Sequence, residues 1–249
     1  VQVTKEPQAY SVLEQKTTLT LNPDFTLTEK QEKRLLILEA QGLSHATVVL
    51  MYDKLQEIQN FDLEVTNPIT GKSIKKARLR DMADVAPPTS DFLLDNRYKV
   101  FEVTAPSYPI LVKITTEVLL KTNFYYPTWV PVQYNFQKVK ESVLQFNYPT
   151  ELGLKYKEMN LGGTKDLQES AGVTTLTWTE KDLEVQTPSF DLDKDPKILL
   201  SPVQFAINEF RGEMGDWSGL ASWQNKLNQG RGELPNLDLS QGTEREKAA

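Results

Sequence analysis

With 249 residues, 39% of them hydrophobic and 25% charged, the chain is long enough for one large domain or two small ones and has the composition of a packed globular protein. It contains no cysteine and a single histidine, which removes thiolate nucleophiles, disulfides, cysteine-containing zinc sites and every motif that needs two histidines. Its 28 basic and 34 acidic side chains, net −6, are scattered rather than blocked, a surface poorly suited to neutralising phosphates, so no nucleic acid partner is expected.

Along the chain, period-two alternation predicts half-buried strands of the antiparallel type. Asn22-Pro23-Asp24 separates a run over Thr17–Leu21 from a longer one over Phe25–Leu38, and its Pro and Asx chemistry predicts a hairpin. Phe61–Val65 alternates, then Asn67-Pro68-Ile69-Thr70-Gly71 turns the chain into Lys72–Lys75. Prolines at Ala86–Thr89 and Ala105–Pro109 interrupt the middle, since proline cannot donate to a ladder. The clearest strand follows at Ile110–Leu120, with Val112, Ile114, Val118 and Leu120 on one face and Lys113, Thr115 and Glu117 on the other. Val139–Tyr148 groups Leu144, Phe146 and Tyr148; after a break at Leu161-Gly162-Gly163-Thr164, Val173–Glu180 places Leu176 and Trp178 inward.

Helical spacing arrives late. Between Gly215 and Gln229, Trp217, Leu220, Ala221 and Leu227 share a face, with Asp216 as N-cap and Gly230 as the stop. Ser240–Ala249 looks like the capped first turns of a further helix, starting at Thr243, with no apolar stripe to pack, which leads to the expectation that the natural protein continues. No apolar run approaches the ~20 residues of a membrane span. Val1–Lys5 carries no leader pattern, although a removed signal peptide leaves no trace in a mature sequence. The expected fold is mainly β: an antiparallel β-sandwich over residues 1–208, followed by a short helical segment and linker over 209–249.

Candidate chemistry is sparse. A dyad on His45 would need a Cys, which is absent, or a Ser with an orienting acid, and no G-x-S-x-G elbow exists, so a structural role is expected. Asp191, Asp193 and Asp195 alternate as calcium ligands do, but without the glycine and closing Glu of an EF-hand they read as a solvated loop. Gly162-Gly163-Thr164-Lys165 lacks the order of a phosphate loop and reads as a turn. No metal and no cofactor are expected. The aromatic cluster Phe124-Tyr125-Tyr126-Pro127-Thr128-Trp129, with Tyr134 and Phe136, either fills the core or, exposed at an edge, supplies stacking surface. Trp217 and Trp223 lie about 240° apart on the helix, so Trp223 faces a second surface.

Taken in order, several of these segments resemble the bacterial domain-of-unknown-function family numbered 3857: Val12-Leu13-Glu14 through Asn22–Thr28, Arg34–Leu38 with Gln41-Gly42-Leu43, Asn67–Lys72, Leu94–Val100, and Gly215–Leu220 with Trp223. The resemblance runs from about Tyr10 to Leu227, departing at Ser107-Tyr108-Pro109, where relatives often carry a glycine-containing turn. It implies a β-sandwich of immunoglobulin-like type placed before a transglutaminase-like domain, a papain-like fold with a Cys-His-Asp triad, in exported bacterial proteins. Residues 209–249 would then be the linker into that domain.

The expected function is accordingly that of a structural and interaction domain, not an enzyme, in a periplasmic or otherwise exported protein. Trp217, Leu220 and Trp223 would meet the following domain. The alternative is a module that binds a cell-envelope glycan or peptide through Tyr125, Tyr126, Trp129 and Tyr134.

Overall fold

The structure, a computed structural model, describes residues 9–86, 95–132, 138–184 and 194–230. Tyr134, Phe136, Asp191, Asp193 and the expected second helix at Ser240–Ala249 lie outside the described residues. Strands β1 (Tyr10–Leu21) and β2 (Leu27–Ile37) form the hairpin expected at Asn22-Pro23-Asp24. In its turn the Asp24 carboxylate accepts from the Thr26 hydroxyl at 2.7 Å and the Thr26 amide at 3.0 Å, contacts that hold its pKa below the ordinary carboxylate value. Next come β3 (Val48–Tyr52), β4 (Gln56–Thr66), β5 (Ser73–Arg78), β6 (Ala83–Val85), β7 (Arg97–Phe101) and β8 (Ile110–Leu120). Between β4 and β5 the Asn67 side chain accepts from the amides of Ile69 and Thr70, and Gly71 takes the positive φ that closes the turn.

The second half contributes β9 (Lys138–Pro149), β10 (Leu154–Met159), β11 (Thr164–Ser170), β12 (Val173–Glu184), β13 (Lys197–Pro202), β14 (Gln204–Ile207) and β15 (Phe210–Glu213). Helix α1 (Trp217–Asn228) follows, its N-terminus capped by Asp216, which accepts from the Gly219 amide at 2.8 Å. One eight-stranded sheet, in the order β11-β12-β9-β1-β2-β8-β4-β5, dominates. The chain is mainly β as expected, but the large sheet is mixed rather than wholly antiparallel: β1 runs antiparallel to β2 on one side and parallel to β9 on the other. A parallel neighbour needs a long return connection, and alternation within either strand does not reveal its direction.

One face of this sheet carries two apolar cores. Val12, Leu35, Ile37, Phe61, Leu63, Val65, Ile110 and Val112 form the first, covered by Val48 and Phe101 of the small sheet β3-β7-β6. Leu19, Leu21, Leu27, Leu144, Phe146, Leu176 and Trp178 form the second, covered by Ile198 and Leu200 of β13 and Ala206 of β14. Each such buried side chain contributes about 1.5–3 kcal/mol. The small covering sheet is fixed at its far edge by Asp84, whose carboxylate gathers Tyr52 Oη at 2.8 Å, Arg97 and Lys99.

Three adjacent strands share an irregularity. Inward-facing residues are three apart, not two, from Val12 to Gln15, from Val139 to Ser142 and from Glu180 to Leu183, and a β-bulge is registered between Val12 and Glu14. The sheet is creased along this line, and on each strand one of the two inward residues beside the crease is polar: Gln15, Ser142 and Glu180. Glu180, 5% exposed, has its carboxylate accepted into the 162–163 turn, where the Gly163 amide donates at 2.7 Å.

Residue 208, where the first domain was expected to end, lies within a short hairpin. Ile207 pairs with Phe210, so that position falls in the turn of the β14–β15 hairpin, and α1 packs on β15. A side chain at Gly212 would place its Cβ 2.5 Å from the Phe205 ring and 2.9 Å from Trp223, so the bare backbone there is what lets the helix sit down.

A Cβ at Gly163 would lie 1.9 Å from the Thr179 carbonyl oxygen and 2.8 Å from the Glu180 carboxylate, whereas one at Gly162 meets nothing. Gly163→Ala is therefore expected to cost about 1–3 kcal/mol, and Gly162→Ala little; equal melting temperatures for the two variants would contradict this account of the turn.

Candidate functional site

The inward face of β2 reads Leu27, Glu29, Gln31, Lys33, Leu35, Ile37, apolar at both ends and polar between them. This polar stretch lies between the two cores and, with Gln15, Thr17 and Leu19 of β1 and Leu144 of β9, floors a cleft of about 140 Å³. Its roof is the stretch that follows β8, residues 121–132, which crosses the face as a strap and contributes Pro127, Thr128, Trp129 and Val130. The strap is held at three points. Asn123, fully buried, donates to the Gln204 carbonyl at 2.8 Å and accepts from the Ala206 amide at 2.9 Å, so its side chain pairs with β14 as a strand would. Trp129 and Ile198 exchange two backbone hydrogen bonds, at 3.0 and 2.9 Å. Gln15 Nε2 donates to the Pro131 carbonyl at 2.7 Å and to Ser142 Oγ at 2.8 Å, tying β1, β9 and the strap together.

Of the four charged residues that line the cleft, Lys16, Glu29, Glu32 and Lys33, two stand on the inward face of β2, Glu29 and Lys33, and they do not pair with each other. Glu29 accepts one hydrogen bond, from Gln31 Nε2 at 2.6 Å, and burial raises its carboxyl pKa above the ordinary value, outweighing that bond. Burial alone lowers Lys33, whose ammonium makes no hydrogen bond or ion pair among the described residues. Both side chains keep partial solvent access through the mouth of the cleft while protein surrounds them, which is how a half-exposed group comes to be strongly desolvated. His45 lies near Lys33: burial first, and then the lysine charge, lower its pKa, and its ring stacks on Tyr10 at 3.8 Å. The geometry provides a desolvated acid and a desolvated base in a crevice of molecular rather than macromolecular size.

Of the cleft residues only Trp129 was singled out from sequence, as part of an aromatic platform; Glu29, Gln31 and Lys33 were not, although the signal was present. In a strand bounded by Leu27 and Ile37, the alternate positions 29, 31 and 33 break the apolar face, and a polar residue due inward is a site candidate. The residues that sequence did single out are dispersed. Of the two roles open to the aromatic cluster, Tyr126, 1% exposed, and Trp129, 7% exposed, take the core one and belong to the second core, while Tyr125, at 65%, faces solvent. Burial, only partly offset by the hydrogen bond from Asn123, pushes the Tyr126 phenol up to about 12. Tyr134, the fourth member of that set, lies outside the described residues.

On α1 the three residues expected to meet a following domain are placed differently from one another. Trp223 is buried, stacked on Phe124 with ring centroids 5.6 Å apart and edge-on to Phe205 at 5.1 Å, and it fastens the helix to β14 and β15. Trp217 is 85% exposed, and Leu220 half-buried. The helical wheel separated the two tryptophans correctly but could not say which side the sheet would occupy.

Residues 23–187 match the family model DUF3857, described as a domain of unknown function with a solved structure. The chain belongs to the DUF3857 family. The span matched by DUF3857 includes Glu29, Gln31, Lys33 and the strap, while α1 lies beyond it. Among solved structures, this DUF3857 chain is similar to a "putative protease" from Parabacteroides distasonis, with a TM-score of 0.67 and 12% identity over 78% of this chain and 40% of that one. An M1 zinc metallopeptidase from Deinococcus radiodurans gives a TM-score of 0.39 and 10% identity over 78% of this chain and 43% of its own. The chain thus spans less than half the length of either structure, and at such identities the first likeness concerns fold alone. No curated protein matches the chain at a significant level.

The shifts of Glu29 and Lys33 carry a stability consequence. Because the folded-state pKa of Glu29 is raised, its contribution is complete below the unfolded value of 4.5 and is lost as pH climbs through the folded value. The lowered pKa of Lys33 means that a penalty for holding its ammonium persists at neutral pH and is relieved only as pH rises toward 10.5. Glu29→Gln, which keeps an acceptor for Gln31, is expected to raise the melting temperature at about pH 7 by roughly 2–4 °C, near 1 kcal/mol for a chain of this size, and to leave it unchanged at about pH 4. Lys33→Met is expected to stabilise by a similar amount at neutral pH and to raise the His45 pKa, read by NMR on the one histidine of the sequence. A fall in stability at neutral pH for both variants would contradict the desolvation account.

Proposed function

We propose that this DUF3857 chain is a structural and interaction domain without catalytic activity of its own, which precedes a transglutaminase-like domain in a bacterial protein exported to the periplasm. The observation that carries the reading is the division of labour on α1. Trp223 already anchors the helix to the β scaffold, so the apolar ring of Trp217, 85% exposed on the opposite side, is left for another surface. Leu220, half-buried one turn on, extends that surface. The likeness in fold to part of a longer protein named as a "putative protease" supports an accessory position beside an enzyme-like portion. The sequence adds that no cysteine is present to serve in a Cys-His-Asp triad, and the one histidine is engaged with Tyr10. In this reading the large creased sheet and the small sheets over its inner face correspond to the immunoglobulin-like sandwich that the resemblance implies.

The placement of the aromatics does not favour the alternative of a glycan- or peptide-binding platform, because Tyr126 is buried in the second core, Trp129 offers only the part that lines the cleft, and Tyr125 stands alone among the described members as an exposed ring.

Two measurements test the proposal. Trp223→Ala is expected to release α1, with local protection from hydrogen exchange lost and about 3–5 kcal/mol of packing removed, whereas Trp217→Ala leaves the isolated chain within about 0.5 kcal/mol of its original stability. In a polypeptide extended by the reading frame after Ala249, Trp217→Ala should instead loosen the junction, read as faster proteolysis there; a frame that encodes no further domain sinks the proposal. The purified chain is expected to show no amidase, protease or transamidase turnover, and turnover abolished by His45→Ala would overturn the non-enzyme reading.

A further inference from the structure

The cleft beneath the strap has a composition that scaffolding does not require. Glu29 and Lys33 project from the same face of β2 four residues apart, which at about 3.3 Å per residue separates their Cα atoms by roughly 13 Å. At that spacing neither serves as the other's counter-ion. Among the described residues Lys33 has no acceptor, and Glu29 has the Gln31 amide but no cation. The other two charged residues that line the cleft, Lys16 and Glu32, stand opposite each other in the β1–β2 ladder and belong to the alternate set of positions, those of the outward face, where Glu32 is 3.2 Å from Lys30. Gln15 is already committed to Pro131 and Ser142, so its role is to position the strap.

We propose that this cleft binds a small zwitterion, an amino acid or dipeptide, with the Lys33 ammonium on its carboxylate and the Glu29 carboxylate on its ammonium. A molecule carrying one charge of each sign, held apart by a short carbon skeleton, answers both uncompensated groups at once and adds no net charge. A simple anion or cation leaves one of them bare. The size agrees: about 140 Å³ is close to the ~150 Å³ cavity that accommodates a benzene molecule, which sets the ligand at roughly five to ten non-hydrogen atoms. Leu19, Leu144 and Trp129 supply apolar walls for the skeleton. The desolvation that disfavours both charges in the empty cleft would be offset on binding, so occupancy favours the ionised form of each. This inference stands apart from the proposal for α1, whose residues it does not use.

The test uses the chain as it is, with glycine and glycylglycine as zwitterionic probes and acetate and methylammonium as single-charge controls. Binding is followed by ligand-observed NMR and by the His45 ring signals. The expected result is a dissociation constant of about 1 mM for a zwitterionic probe and affinity about tenfold weaker for either control. Because the Lys33 charge depresses His45, a carboxylate seated on Lys33 should also raise the His45 pKa. Glu29→Gln and Lys33→Met, each checked for fold by circular dichroism, should each reduce zwitterion affinity about tenfold. Acetate or methylammonium binding as well as the zwitterions would overturn the two-ended site. Binding that leaves His45 and both variants unaffected would place it elsewhere and overturn the proposal, as would the absence of binding by both zwitterions in the unaltered chain.

Discussion

The arrangement of this protein depends on one contact, the side chain of Gln15 reaching across the crease of the large sheet. Its amide group donates to the Pro131 carbonyl and to Ser142 Oγ, so a single residue on β1 joins the neighbouring parallel strand and the strap that passes overhead. The strap carries a backbone carbonyl into a place where the sheet offers no ladder partner, and a buried carbonyl without a donor costs about 1–3 kcal/mol. An apolar residue at position 15 could have merged the two cores into one, but it would have left Pro131 and Ser142 unsatisfied. The polar belt is thus tied to the route of the chain, and the separation of the cores follows from it.

With the strap fixed in this way, the fate of the aromatic segment is determined. Asn123 mimics a strand toward β14, and Trp129 exchanges backbone bonds with Ile198. Between these two attachments Tyr126 has nowhere to point except into the second core, where its ring meets Phe146 at 5.1 Å. The same rings that would suit carbohydrate stacking are here the adhesive between the strap and the sheet. Composition could not separate these outcomes, because Tyr and Trp suit either role; the backbone partners of the segment decide it.

Much of the β architecture was legible in the sequence because its signals are local. Asn22-Pro23-Asp24 and Asn67–Gly71 specify turns through their own side chains, and the alternation over Ile110–Leu120 gives a strand whose observed bounds are those same residues. The helix with its Asp216 cap was legible for the same reason. What escaped was non-local: the parallel pairing of β1 with β9, the hairpin that spans residue 208, and the side of α1 that the sheet occupies. The cleft escaped for another reason. Glu29 and Lys33 belong to a run of charged residues in which outward and inward positions look alike until the register with Leu27 and Leu35 is followed through.

That register also bears on why the cleft has the chemistry it has. On the outward face of the same strands, charges occur in cross-strand or neighbouring pairs, such as Arg34 with Glu14 at 2.9 Å and Lys30 with Glu32 at 3.2 Å, exposed contacts of small individual worth. On the inward face, one strand layer away, two charges of opposite sign are kept apart and desolvated. Exchanging either for an uncharged residue of similar shape would lessen a cost in the isolated chain and leave the strap, the crease and both cores in place, since none of their contacts passes through Glu29 or Lys33. A group that the scaffold does not use, and holds at a cost, owes its position to something outside the scaffold, and in this molecule that requirement falls on the cleft.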